Sequence, residues 1–195
     1  GIVRIERRRH IRRKALGMGE HMPPVKTLGL GQVLNEICEE LGIKLIHVFE
    51  DEWYFKQDIV KSRIAGILGK NPRLYARSCS VYEMTMAESN DFLENNHIQG
   101  ACSSKWRYGL YFEGTPVAVM TFGRNRFGEG IELLRFCTAK HLTVIGGASK
   151  LFKHFVDAHP EIKQIASFAD RRWSGKDAFY PKLGFTLNGI TPPAY

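Results

Sequence analysis

The sequence predicts an α/β protein of the α+β kind, and three observations predict it. From residue 74 onward, strand-like and helix-like apolar patterns follow one another in the order β-α-β-β-β-α-β-α-β. Two strand-like runs, Trp106–Phe112 and Val117–Gly123, flank Glu113-Gly114-Thr115-Pro116, whose Gly and Pro suit a hairpin turn. The stretch Val144–Phe185 reads as a glycine-opened helix, a buried strand ending in charge, and a short helix closed by Gly184.

Residues 1–30 show neither period and hold Gly17, Gly19, Pro23, Pro24 and Gly29, which predicts a mostly irregular arm. Residues 31–72 form a helix–strand–helix appendage. Its first helix, Gln32–Leu41, carries Val33, Leu34, Ile37 and Leu41 on one face and stops at Gly42. Ile43–Phe49 follows as a strand, then a helix from Glu50 to about Leu68. The acidic Glu50-Asp51-Glu52 belongs in that helix's first turn, where the dipole favours negative charge, and Gly69-Lys70-Asn71-Pro72 ends it.

Residues 73–195 are the α+β domain. Leu74–Met84 is expected as a strand and Met86–Asn95 as a helix with Phe92 and Leu93 inward; the hairpin comes next. Gly130–Cys137 is a strand buried through Ile131, Leu133, Leu134 and Phe136. The helix Ile145–Ala158 turns Leu151, Phe152, Phe155 and Val156 to one side. Strand Gln164–Ala169, helix Lys176–Leu183 and strand Phe185–Gly189 complete the set.

Composition narrows the class. A chain of 195 residues with 44% hydrophobic content suits one domain plus an appendage. No apolar run has the length of a membrane span, no secretory leader is apparent, and so no membrane partner is expected. Cys38, Cys79, Cys102 and Cys137 lie far apart without C-x-x-C spacing, which predicts a reduced, cytoplasmic protein. The net charge of +8 is uneven: residues 1–26 hold eight basic and two acidic side chains, leaving +2 for the rest. A basic arm of this kind attracts nucleic-acid phosphates; a solvated tail or leader is the competing reading.

Several side chains could carry chemistry. Gly146, Gly147, Ala148 and Ser149, with Ile145 before them, open a helix whose free N–H groups suit a phosphate or another anion. His97 follows the first helix of the domain, Asp170 ends the strand A-S-F-A-D, and Tyr180 lies in the short helix beyond. An imidazole nitrogen, a carboxylate and a phenolate also make a donor set suited to iron or zinc. Set against this, His97 could cap its helix and Asp170 could pair with Arg171 or Arg172. Arg171, Arg172 and Trp173 suit DNA, guanidiniums on phosphates and an indole on a base, and Arg124 and Arg126 could line the same groove. Trp173 could equally fill an apolar gap. Cys102 and Cys137 have no sequence-local base, and Cys137 reads as core.

The glycine run together with Tyr180, Gly184 and Phe185 resembles the GNAT acyltransferase superfamily, with its Q/R-x-x-G-x-G/A loop and Tyr-x-x-x-Gly-Phe segment. The loop maps onto Thr143–Ala148, with Thr143 where the family has Gln or Arg, a departure that predicts weak acetyl-CoA binding. The resemblance implies a mixed, mainly antiparallel twisted sheet flanked by helices. It also implies acyl-CoA or a related donor held by Ile145–Ser149, Tyr180 as general acid, and reacting groups gathered where two strands splay apart. Residues 32–53 resemble the end of Vsr-like domains of homing endonucleases, a likeness that implies a nuclease remnant in the appendage.

The histidine after the first helix, the strand end S-F-A-D and a tyrosine ten residues on resemble the phage Mom-like DNA modification proteins. That likeness implies an enzyme converting DNA adenine at N6 inside a phage-infected host cell. It also implies iron or another divalent metal, with His97, Asp170 and Tyr180 as ligands or catalysts and Ser149 a further catalytic candidate. Two alternatives stay open: an acetyl-CoA-dependent N-acetyltransferase, and a non-catalytic DNA-binding module of a homing endonuclease.

Overall fold

The strongest determinant of the fold is the strand Thr115–Arg124 (β4), which is buried on both faces from Val117 to Gly123. Alternate side chains leave a strand on opposite sides. Ala118, Met120 and Phe122 therefore join one apolar cluster, and Val119 joins another. Each face is covered by a helix, which is why this strand reads as an unbroken apolar run. Gly147–Ala158 (α4) packs Leu151 and Phe155 onto the first face, where the Phe155 ring lies 3.6 Å from that of Phe122 at an interplanar angle of 7°. Met86–Asn96 (α3) packs Phe92 and Leu93 onto the other face, beside Met84 and Cys137.

The computed structural model describes residues 34, 37–38, 40–43, 45–126, 128–170, 173–174 and 179–189. The protein is a mixed α+β structure built on a mostly antiparallel five-stranded sheet flanked by helices. Ser80–Glu83 (β2), Trp106–Phe112 (β3), β4, Ile131–Thr138 (β5) and Ile165–Ser167 (β7) lie in that spatial order. The first three pairings are antiparallel; β5 and β7 run parallel. Arg73–Tyr75 (β1) and Thr143–Ile145 (β6) form a separate parallel pair. Helices Glu50–Phe55 (α1) and Gln57–Ile67 (α2) precede them.

The segment 50–72 is joined closely to the domain. Ile59 and Val60 of α2 are buried with Ile98 and Trp173. The Ser62 hydroxyl accepts from the His141 backbone N–H at 2.7 Å, and Lys56 bonds Glu94 at 3.2 Å. Glu52 accepts from the Phe49 N–H at 3.4 Å, so the acidic first turn of α1 caps its own helix.

Several expected elements differ. No ladder partner exists for Ile43–Phe49 or Phe185–Gly189 among the described residues, and neither is a strand; Thr186, Leu187 and Asn188 are all exposed, so they lack the buried face that would fix a register. The helix expected from Glu50 to Leu68 breaks at Lys56, where φ is −131°. The strand expected over Leu74–Met84 is interrupted by a 3-10 turn at Ala76–Ser78. Lys150 explains the interruption: its ammonium donates to the carbonyls of Ala76 and Cys79 and draws the turn onto α4. Strand β6 is additional, formed because Thr143–Ile145 meets β1 in parallel register. Val156, placed on the inner face of α4 by its spacing, is 40% exposed, since the sheet below α4 reaches only the Leu151–Phe155 line. The basic arm, Arg171, Arg172 and the first three residues of the expected helix Lys176–Leu183 lie outside the described residues; within its described part Pro181–Leu183 is a 3-10 turn.

Candidate active site

Strands β5 and β7 are paired only from Ile131 to Leu133 against Ile165 to Ser167; beyond this the ladder stops. At the same point Thr121 pairs with Arg135 and Phe122 with Leu133, so Leu134 is an extra residue on β5, a bulge. Bulges end pairing and re-aim side chains. The opening beyond the bulge is a cavity of about 80 Å³. Its lining includes His97, Arg135, Asp170, Trp173 and Tyr180, together with Arg63 from α2. The three residues expected to act together, His97, Asp170 and Tyr180, thus share one cleft.

Each is positioned by local structure. His97 is the C-cap of α3; its N–H donates to the Leu93 carbonyl at 2.8 Å. Asp170 opens a tight turn in which its carbonyl accepts from the N–H groups of Trp173 (3.0 Å) and Ser174 (2.8 Å). That turn delivers the Trp173 indole to the cleft. Tyr180 is 8% exposed, stacked on Phe179 at 4.3 Å and edge-on to Phe185 at 5.5 Å. Its hydroxyl lies 3.4 Å from that of Ser167, which is also 3.1 Å from the Leu133 carbonyl. Ser167 has one hydrogen and donates to one of them at a time. Burial raises the Tyr180 pKa above the ordinary phenol value, so the phenol keeps its proton at neutral pH.

The cleft is electropositive around the imidazole. Desolvation first, then the nearby Arg135, Arg63 and Lys56 charges, push the His97 pKa down to about 3. His97 Nδ1 accepts from the Gln99 N–H at 3.1 Å, so the neutral ring carries its proton on Nε2. A consequence for stability follows. The unfolded histidine, near 6.5, takes up a proton before the folded one does. Stability contributed by His97 is therefore full above pH 6.5 and is lost as pH falls toward 3. Urea unfolding of His97→Asn, whose side-chain oxygen can take the place of Nδ1, is expected to show a flatter pH dependence across that window. An unchanged slope would contradict the assignment.

These features also bear on a metal. A ligating histidine offers a lone pair from one nitrogen and usually donates from the other. Here the nitrogen facing Gln99 accepts, and two guanidiniums lie close by. Among the described residues no group of three or more His, Cys, Asp and Glu side chains could hold a metal ion. The residues present do not fit a cation, and no step below runs through one.

The cofactor-binding candidates lie elsewhere. Ile145, Gly146 and Ser149 line a second cavity, about 460 Å³, with Tyr75, Arg77, Lys150 and Lys153. It shares no lining residue with the cleft, so Ser149 stands apart from the other catalytic candidates. Gly147 and Ala148 are buried against the sheet. The glycine pair is explained by the fold: Gly146 has φ +77°, and a Cβ on Gly147 would approach Val144 Cγ1 to 3.1 Å and Leu110 Cδ1 to 3.3 Å. Gly147→Ala sets this crowding against the better helix propensity of alanine, and is expected to change stability by no more than about 1 kcal/mol, read from its denaturation midpoint; a loss of several kcal/mol would show that Val144 and Leu110 cannot yield. Arg77, Lys150 and Lys153 do suit an anionic group, although Lys150 already holds the Ala76–Ser78 turn and Lys153 is 2.6 Å from Asp157.

The nucleic-acid candidates divide. Trp173 is 8% exposed and packs with Ile59, Val60 and Ile98, while the Arg63 guanidinium lies 4.7 Å over its ring. It fills an apolar gap and is not an exposed platform for a base. Arg126 forms a two-pronged pair with Glu132, at 3.1 and 2.6 Å, and so neutralises a carboxylate that is only 1% exposed. Arg124 is exposed at the end of β4. Sequence reasoning missed Arg63 and Arg135. A charge inside the apolar strand L-L-R-F-C is a readable signal, since such residues are rarely buried without a task; Arg63, on an ordinary helix, offers none.

No family model matches this chain, and no curated protein or solved structure is significantly similar to it. No helix among the described residues is long and apolar enough to cross a membrane.

Proposed function

We propose that this protein is a GNAT-like transferase that modifies DNA, with the N6 amine of adenine as acceptor and the cleft between β5 and β7 as the reaction site. One observation carries the reading: residues 97, 170 and 180, far apart in sequence, line a single opening where parallel strands part beside a bulge. Ligands of open sheets collect at the carboxyl ends of strands. The charge of residues 1–26 supports a polyanionic partner.

An adenine in a duplex has to be extruded before its amine can react. In the proposed reaction the amine attacks the electrophilic carbon of the donor and sheds a proton to Asp170. Tyr180, held in its neutral form, supplies a proton to the departing group. His97, with its proton on Nε2, donates a hydrogen bond and carries no charge. An acyl-CoA or related donor would supply an activated carbon, its phosphates lying near Arg77 and Lys153 at the start of α4.

Mass spectrometry of nucleosides from cells expressing the protein tests this. A mass-shifted adenosine is expected; unmodified adenine beside verified, folded protein would count decisively against it. The anion-suited cavity at α4 favours a second reading, a conventional acetyl-CoA-dependent transferase acting on an amine. A thermal shift with acetyl-CoA, without any modified base, would select it.

A further inference from the structure

The cleft is lined by hydrogen-bond donors that have nothing to donate to. The Trp173 Nε1–H is fully shielded from solvent and has no partner, in a residue 8% exposed. Arg135 Nε is shielded and unpartnered in the same way. Its Nη1 donates to the Leu134 carbonyl at 2.9 Å, which leaves the Nε–Nη2 edge of the guanidinium available. Buried donors without acceptors cost about 1–3 kcal/mol each, so two of them around one cavity need an explanation. An ordered water also accepts from such donors, but an anion in addition offsets the buried guanidinium charge. His97 adds a third donor through Nε2, and the Tyr180 hydroxyl borders the same space.

We propose that this cleft binds the carboxylate of a small-molecule substrate, with the Nε–Nη2 edge of Arg135 and the Trp173 indole N–H on its oxygens. The side-on edge of a guanidinium matches the two oxygens of a carboxylate. A cavity of about 80 Å³ takes a group of a few heavy atoms, the size of a carboxylate and its neighbouring carbons. The His97 pKa is depressed first by burial and then by the Arg135, Arg63 and Lys56 charges, and the second cause agrees with positive charge gathered there. Among the described residues Asp170 is the one acidic residue in the lining, set against the guanidiniums of Arg63 and Arg135, so the lining carries more positive than negative charge. The inference deepens the transferase reading by naming the substrate class of its cleft, and it rests on that reading only for the reaction. Carboxylate binding can hold where no base is modified, and base modification can occur without it, so the two fail separately.

The indole N–H resonances provide the test. The chain has three tryptophans, and Trp173→Phe identifies the signal of Trp173. Titration of the full-length protein with sodium acetate, against sodium chloride at equal ionic strength, is expected to shift that signal saturably and leave those of Trp53 and Trp106 in place. Arg135→Lys keeps the charge but loses the fork, and is expected to weaken acetate binding about tenfold. A Trp173 signal indifferent to acetate overturns the proposal even if the variant fails to fold. Inorganic phosphate shifting it as strongly as acetate overturns the carboxylate assignment, as does full affinity in folded Arg135→Lys.

Discussion

Tyr180→Phe is expected to lower the yield of modified adenine by about 10²–10⁴-fold, the range for removing a positioned general acid. The ring would keep its stack on Phe179 and its edge contact with Phe185, since only the hydroxyl is deleted. The lost contact is one long bond with Ser167, at 3.4 Å, so the midpoint of thermal unfolding should move little. Nucleoside mass spectrometry and a melting curve on the same preparation separate the two effects. Equal yield from variant and parent would remove Tyr180 from the chemistry. A collapse in melting temperature would make it a core residue instead.

The second large effect concerns the core under the site. Phe155→Ala should destabilise the protein by about 3–5 kcal/mol, the usual cost of emptying a buried aromatic position. Phe155 is fully buried, stacked on Phe122 and edge-on to Trp106 at 5.6 Å and Tyr108 at 6.2 Å. Those partners belong to β3 and β4, so the cavity would open along the contact between α4 and the sheet. Urea denaturation measures it; a loss below about 1 kcal/mol would show that the interface repacks.

The parts of this fold that could be read from residues alone are those set by local patterns. The inner face of α4 through Leu151 and Phe155, Phe92 and Leu93 on α3, and the hairpin about Glu113-Gly114 follow from periodicity and turn chemistry. What could not be read depends on partners. Ile43–Phe49 and Phe185–Gly189 carry strand composition, yet a strand exists only where another lies beside it, and Thr143–Ile145 became one because β1 happened to be adjacent. Gly146 and Gly147 look like a phosphate loop, and the fold gives them a second reason: φ is +77° at the first, and Val144 and Leu110 leave little room for a Cβ on the second.

At the site, His97, Asp170 and Tyr180 were nameable from the resemblance, whereas their electrostatic setting was not. Arg63 comes from a helix outside the expected domain and Arg135 from the middle of a strand, and together they help hold the imidazole neutral. Residue type leaves the indole of Trp173 open between a base and an apolar gap; its burial under Arg63 decides for the gap.

The central claim is that the opening beside the Leu134 bulge is where the reaction occurs. Nucleoside mass spectrometry on a matched set of folded variants tests it most directly: His97→Asn, Asp170→Asn and Tyr180→Phe against Tyr82→Phe, an exposed phenol outside the cleft. The account predicts modified adenine from the parent and from Tyr82→Phe, with severe loss in each of the other three. Modification that survives Asp170→Asn and Tyr180→Phe together would contradict it.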